Sequence, residues 1–156
     1  MKLGLISDTH GFLDPRLPRI FRGVDHILHA GDIGPDYLIA QLESIAPATA
    51  VLGNNDNSSC FPLTNVFIAE KLKFLMHHIV SPRALTDELK ARIAGEKPNA
   101  VVFGHSHKQF CEKIDGVLFV NPGYAGKPRF NAERSVALLE IDGNDMQVKF
   151  ITLSNE

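Results

Sequence analysis

With 156 residues, 44% of them hydrophobic, the chain is long enough for a substantial core and short for two ordinary domains, so one domain over 1–156 is expected. A formal charge of −2 supplies no basic field of the kind that sequence-independent binding to duplex DNA needs. The apolar run at the start is too short for a signal peptide, and nothing approaches the roughly 20 apolar residues of a membrane span, which points to a soluble cytoplasmic protein.

Apolar, β-rich runs predict strands over 2–7, 26–30, 48–52, 72–76 and 100–103. Helical patterns lie between them. The first covers 15–22, with a proline-rich entry and Gly23 at its end, and the second covers 35–45, with Leu38, Ile39, Leu42 and Ile45 at helical spacing and Pro47 beyond. The third starts from Ser81 or Thr86 as cap and runs to Ala94, with Leu85, Leu89 and Ile93 on one stripe and Gly95 as its stop signal. The last third of the chain changes to hairpins. Asp115-Gly116 between 110–114 and 117–120 is the pair that a tight type I′ turn prefers, and 142–145 joins 135–141 to 146–152. Strands alternating with helices predict an α/β fold. Cys60 and Cys111 are widely separated and read as reduced thiols.

Each of the first five runs ends in residues that bind metals: Asp8-Thr9-His10, Gly31-Asp32, Gly53-Asn54-Asn55-Asp56, His77-His78 and Gly104-His105-Ser106-His107. Strand tips are where open α/β sheets gather ligands. Residues two apart on an extended chain point the same way, so Asp8 and His10 can face one ion, and His105 and His107 repeat the arrangement. Imidazole, carboxylate and amide oxygen without thiolate suit a hydrolytic Zn, Mn or Fe centre better than a structural zinc. Asp8, His10, Asp32, Asn54, His77, His105 and His107 would overfill one tetrahedral ion and suit two, roughly 3.5–4 Å apart with a shared carboxylate.

The order D-x-H, G-D, G-N-x-D, H, G-H-x-H, followed by Asn121-Pro122-Gly123, resembles the calcineurin-like metallophosphoesterase superfamily. Within it, the chain looks like the small single-domain bacterial and archaeal phosphodiesterases, which share their fold with a retromer scaffold subunit. The resemblance implies a four-layer α-β-β-α sandwich of two mixed sheets flanked by helices. It also implies that Asp8, His10 and His107 hold one metal, that Asn54, His77 and His105 hold another, and that Asp32 bridges them. Mn²⁺ is the first choice of ion, with Ni²⁺, Zn²⁺ or Fe²⁺ as alternatives. A bridging water acidified by both ions would attack phosphorus in line. Two divalent ions remain net positive after two aspartates and one hydroxide, so they attract a phosphate anion. The expected substrate is a small phosphodiester or nucleotide, with a phosphomonoester or a non-catalytic protein-binding scaffold as alternatives, and homo-oligomerisation stays open.

Three positions depart from the family pattern. Asn55 stands where relatives often carry a proton-donating His, Leu52 where they often carry a phosphate-binding Arg, and His78 where a Gly usually follows the fourth-motif His. His78 is therefore the candidate proton donor. His26 and His29 read as packing or hydrogen-bonding residues, His29 with a further role behind the ligands. Asp56 reads as a loop brace and Phe61, Phe67 and Phe74 as apolar anchors. Arg129 is either a solvated loop residue or a phosphate contact.

Overall fold

The structure is a computed structural model that describes residues 1–154. In chain order it contains β1 (Lys2–Ile6), α1 (Leu17–Ile20), β2 (His26–His29), α2 (Tyr37–Glu43), β3 (Ala48–Ala50), β4 (Thr64–Ala69), β5 (Leu72–His77), α3 (Asp87–Glu96), β6 (Ala100–Val102), β7 (Phe110–Ile114), β8 (Val117–Asn121), β9 (Ser135–Asp142) and β10 (Asp145–Thr152). Two five-stranded sheets result, ordered β10-β9-β1-β2-β3 and β4-β5-β6-β8-β7. In each sheet the strands that carry ligand motifs run parallel: β1 with β2 and β3, and β5 with β6. The hairpins β4–β5, β7–β8 and β9–β10 are antiparallel within themselves, with β8 joining β6 parallel and β9 joining β1 antiparallel.

Side-chain alternation assigns the layers. Leu3, Leu5, Leu28 and Leu139 of the first sheet meet Phe74, Met76, Val102 and Val120 of the second in a layer between the sheets. The other face of the first sheet, with Ile6 and Ile27, packs on Leu17, Phe21, Leu38 and Leu42 from α1, α2 and their flanks. The other face of the second, with Leu75, Val101 and Phe119, packs on Leu89 of α3. This is the four-layer sandwich. Each of these fully buried aliphatic side chains contributes about 1.5–3 kcal/mol.

Local chemistry moves several boundaries. Helix α1 is a single turn, because Pro18 sits at its start and Gly23, at φ 82°, follows the loop out of it. In α3 Thr86 is the cap, its hydroxyl accepting the Leu89 N–H at 3.2 Å, and the helix passes through Gly95 to stop at Lys97, at φ 51° ahead of Pro98. Strand β4 was not among the predicted elements. It is a half-exposed edge strand without clean alternation, and it pairs with β5 across a two-residue turn. At the β7–β8 turn Asp115 and Gly116 have φ 50° and 80°, both positive as type I′ demands. The last hairpin is tighter than expected, since Asp142 and Asp145 already pair. Among the described residues no helix is long and apolar enough to cross a membrane.

Candidate metal centre

Backbone pairing continues past the strand tips. The Asp8 N–H donates to the Gly31 carbonyl at 3.0 Å, His10 to Asp32 at 2.9 Å and Gly11 to Ile33 at 2.8 Å, so the loops after β1 and β2 run side by side. Within these loops the residues are not extended. Asp8, His10, Asp32, His105 and His107 have φ of 56°, 46°, 54°, 71° and 62°, which makes them five of the nine non-glycine residues with positive φ among those described. The expected pairing of Asp8 with His10 holds, but it comes from left-handed turns and not from strand alternation. Clustering of sparsely populated backbone conformations is a mark of functional sites.

The side chains meet around two carboxylate oxygens. Asp8 Oδ1 lies 3.3 Å from His107 Nε2, 3.7 Å from His78 Nε2 and 3.8 Å from His10 Nε2. Asp32 Oδ2 lies 3.3 Å from His78 Nε2 and 3.7 Å from His10 Nε2. Two donor groups, Asp8-His10-His107 and Asp8-Asp32-His78, could each hold an ion. Asp8 Oδ1, His10 Nε2 and His78 Nε2 are buried without a hydrogen-bond partner among the described residues, although buried polar atoms are normally paired. Donors held about 2.1 Å from a tetrahedral ion stand about 3.4 Å apart, which is the spacing found here.

The remaining lone pairs are occupied in ways that aim these atoms. Asp8 Oδ2 accepts from the Ser7 hydroxyl at 2.8 Å and the His105 N–H at 3.1 Å, which leaves Oδ1 for a cation. Asp32 is clasped by Asn55, whose backbone N–H and side-chain amide reach its two oxygens at 2.9 Å each. Burial would raise the Asp32 pKa, but the two Asn55 bonds with His78 and His10 nearby outweigh it and hold the carboxyl below its usual range. Burial pushes His107 down against the pull of Asp8, favouring the neutral imidazole that metals bind. A Cβ on Gly53 would overlap Asp32 Oδ1, and one on Gly104 would overlap the Ser7 hydroxyl, so each glycine permits a close approach to a ligand loop.

The fourth motif requires a correction. Along β5, Phe74 and Met76 face the layer between the sheets while Leu75 faces α3, and the chain carries this alternation to its end. His77 therefore points to the α3 side, where Nδ1 bonds the Thr64 hydroxyl at 2.8 Å, and His78 points into the centre. His78 is buried, and its Nδ1 lies 2.7 Å from the Ala30 carbonyl. A carbonyl only accepts, so Nδ1 carries the proton and the Nε2 lone pair faces Asp8 and Asp32, as in a metal-bound histidine. Of the two neighbours, His78 and not the expected His77 lies among the candidate donors. The same geometry removes His78 from the site mouth, where a proton donor would have to stand. Asn54 and His105 flank this group. Asn54 Oδ1 lies 3.1 Å from His105 Nδ1, and the His105 ring is edge-on to His78 at 5.4 Å.

A second layer stiffens the loops. His29 is buried, and burial, opposed by Asp56, drives its pKa down to about 3. It is therefore neutral. Its Nδ1 accepts the Gly31 N–H at 3.1 Å, so Nε2–H donates to the Thr9 hydroxyl at 2.9 Å, which in turn donates to the Ile33 carbonyl at 2.8 Å. Asp56 is the loop brace expected of it, accepting the N–H groups of Ile33, Gly34 and Gly53 at 3.0, 3.1 and 2.9 Å. His26 stacks on Phe67 at 4.3 Å, and Phe74 is core. Sequence reasoning gives Asn121 a place in a motif but no role, and it misses Tyr124. Asn121 fastens the ligand loop after β6 through Gly104 O at 3.0 Å and Ser106 Oγ at 3.1 Å, a role that its Asn-Pro-Gly setting could have suggested. Tyr124 stacks on His107 at 4.8 Å.

A sequence model of the calcineurin-like phosphoesterase superfamily domain matches residues 1–144. This chain belongs to that family. A probable metallophosphoesterase of Methanothermobacter thermautotrophicus is 32% identical to this chain, over 97% of it and 92% of the relative. A phosphodiesterase of Methanocaldococcus jannaschii is 30% identical over 79% and 83%. Vps29 from Entamoeba histolytica has the same fold, with a TM-score of 0.77 at 18% identity over 99% of this chain and 100% of that one.

Proposed function

We propose that this phosphoesterase hydrolyses small phosphodiesters, nucleotide-like ones included, as a one-domain cytoplasmic enzyme with two divalent metal ions, Mn²⁺ first among them. Asp8, His10 and His107 would hold one ion, Asn54, His78 and His105 the other, and Asp32 would stand between them. The observation that carries this reading is the group of buried, unpartnered atoms Asp8 Oδ1, His10 Nε2 and His78 Nε2, spaced as ligands of one centre. When bound, such ions acidify water toward neutrality and stabilise charge on a phosphate.

The chain's own residues set what remains. Asp8 and Asp32 act as donors and not as general bases, since Ser7, the His105 N–H and Asn55 already hold their oxygens in place. His29 keeps the Asp8–His10 and Gly31–Ile33 loops together. Asn55 cannot give a leaving group a proton, so esters with acidic leaving groups are favoured. The phosphodiesterase among the relatives supports diesters over monoesters. A protein-binding scaffold would have no need of these donor atoms, and their presence at all seven positions favours catalysis.

The test is elemental analysis of the purified protein, joined to a panel of phosphodiesters and phosphomonoesters assayed after loading with Mn²⁺, Ni²⁺, Zn²⁺ or Mg²⁺. Up to two ions per chain and loss of hydrolysis on chelation are expected. Full activity in a metal-free preparation would sink the reading.

A further inference from the structure

The residue before Gly53-Asn54 offers no charge, since Leu52 is buried in the core under α1 and α2. A cation from another loop stands beside the centre. Arg129 is exposed, with its guanidinium carbon 4.9 Å from the centroid of the Tyr124 ring. That ring is itself buried, lies 4.8 Å from the His107 ring at an interplanar angle of 29°, and is 6.3 Å from the His10 ring. Its hydroxyl donates to the Lys127 carbonyl at 2.9 Å, which fastens the loop carrying Arg129 to the same platform. No carboxylate pairs with Arg129 among the described residues, and the Tyr124 ring is the partner its guanidinium keeps. Beside His107 and Tyr124 lies a cleft of about 640 Å³ whose lining also includes Lys108, Gln109 and Glu133.

We infer that Arg129, carried on the Tyr124 ring, binds a non-bridging oxygen of the substrate phosphate at the edge of the metal centre. The inference rests on the phosphoesterase reading above. A guanidinium presents a planar fork that matches two phosphate oxygens, and stacking on a fixed aromatic ring removes much of its freedom before substrate arrives. The ring that carries the arginine also touches a metal ligand, so clamp and centre keep a constant separation.

The test titrates inorganic phosphate into metal-loaded wild type, Arg129→Ala and Arg129→Lys, with metal content and kcat/KM for an aryl diester measured on the same samples. Arg129→Ala should bind phosphate about 10- to 100-fold more weakly and lose a similar factor in kcat/KM, with metal content unchanged. Arg129→Lys should recover only part, since it restores charge without the fork. Wild-type phosphate affinity in Arg129→Ala, or no phosphate binding by wild type, would overturn the clamp. A metal-loaded protein that fails to hydrolyse esters, yet loses phosphate affinity with Arg129, would overturn the catalytic reading and leave the clamp standing.

Discussion

Replacing the neighbours His77 and His78 by alanine, one at a time, should give opposite phenotypes. His78→Ala deletes a donor atom 3.3 Å from Asp32 Oδ2 and 3.7 Å from Asp8 Oδ1, and it strips the Ala30 carbonyl of its hydrogen bond. An outer-shell partner typically accounts for 10- to 100-fold in metal affinity, so loss of the direct donor should exceed about 100-fold. The abandoned buried carbonyl costs about 1–3 kcal/mol, and the metal-free protein should melt several degrees lower. His77→Ala removes the half-buried bond to Thr64 and a contact with the Leu63 backbone, a loss of about 0.5–1.5 kcal/mol for each bond, or a few degrees in Tm at this chain length, with metal binding intact. Calorimetric titration with Mn²⁺, elemental analysis after gel filtration and thermal melts in chelator read all three effects. Loss of metal in His77→Ala with wild-type binding in His78→Ala would refute the geometry argued for the end of β5.

Aryl diesters should be cleaved much faster than alkyl diesters, and Asn55→His should narrow the gap by supplying the missing proton; equal rates for both classes in wild type, with chemistry rate-limiting, would reveal an unrecognised acid. Asn55→Ala leaves Asp32 one clasp in place of two, so the Asp32 pKa should rise and the pH midpoint of metal uptake should move upward, as followed by titration at fixed Mn²⁺. His29 takes up a proton in the unfolded chain near pH 6.5 but in the folded one only near pH 3, so the stability of metal-free protein should fall as pH drops through that window, by up to about 1.4 kcal/mol per unit. Denaturant melts between pH 4 and 7 should show this slope flattened in His29→Gln. Arg134 is buried with Asp14 at 3.0 Å and Gly126 O at 2.7 Å, and Arg134→Ala should cost about 3–5 kcal/mol in urea melts without changing metal content.

Most of this architecture was legible because the signals were local. The runs around Leu3, Leu28 and Val101 carry the apolar pattern of parallel strands buried on both faces, and Asp115-Gly116 needs no tertiary context to specify its turn. Strand β4 escaped because an edge strand buries little and so shows no strong period. The residues from Asp8 to His107 that converge on the centre could be named from their order, whereas the choice between His77 and His78 could not. Either histidine satisfies a motif, and only the pairing of β5 with β4 and β6 decides which of two adjacent side chains faces the neighbouring sheet. Tyr124 and the part that Asn121 plays within its motif were hidden for a related reason. Both act on the loop after the neighbouring strand β6, through partners 15 to 17 residues away that neither side chain announces by itself.

The left-handed ligand residues also bear on how such a protein decays. A non-glycine residue in that conformation carries a cost of roughly 1–2 kcal/mol that glycine escapes, somewhat less for aspartate. At Asp8, His10, Asp32, His105 and His107 the backbone would therefore be relieved by glycine alone, the substitution that also removes the donor atom. A descendant with no use for the donor atoms would gain stability from glycine at these positions, and other replacements would keep the cost. A chain that retains all five works against its own folding energy at each of them, and a lineage needs a continuing use for the donor atoms to keep doing so.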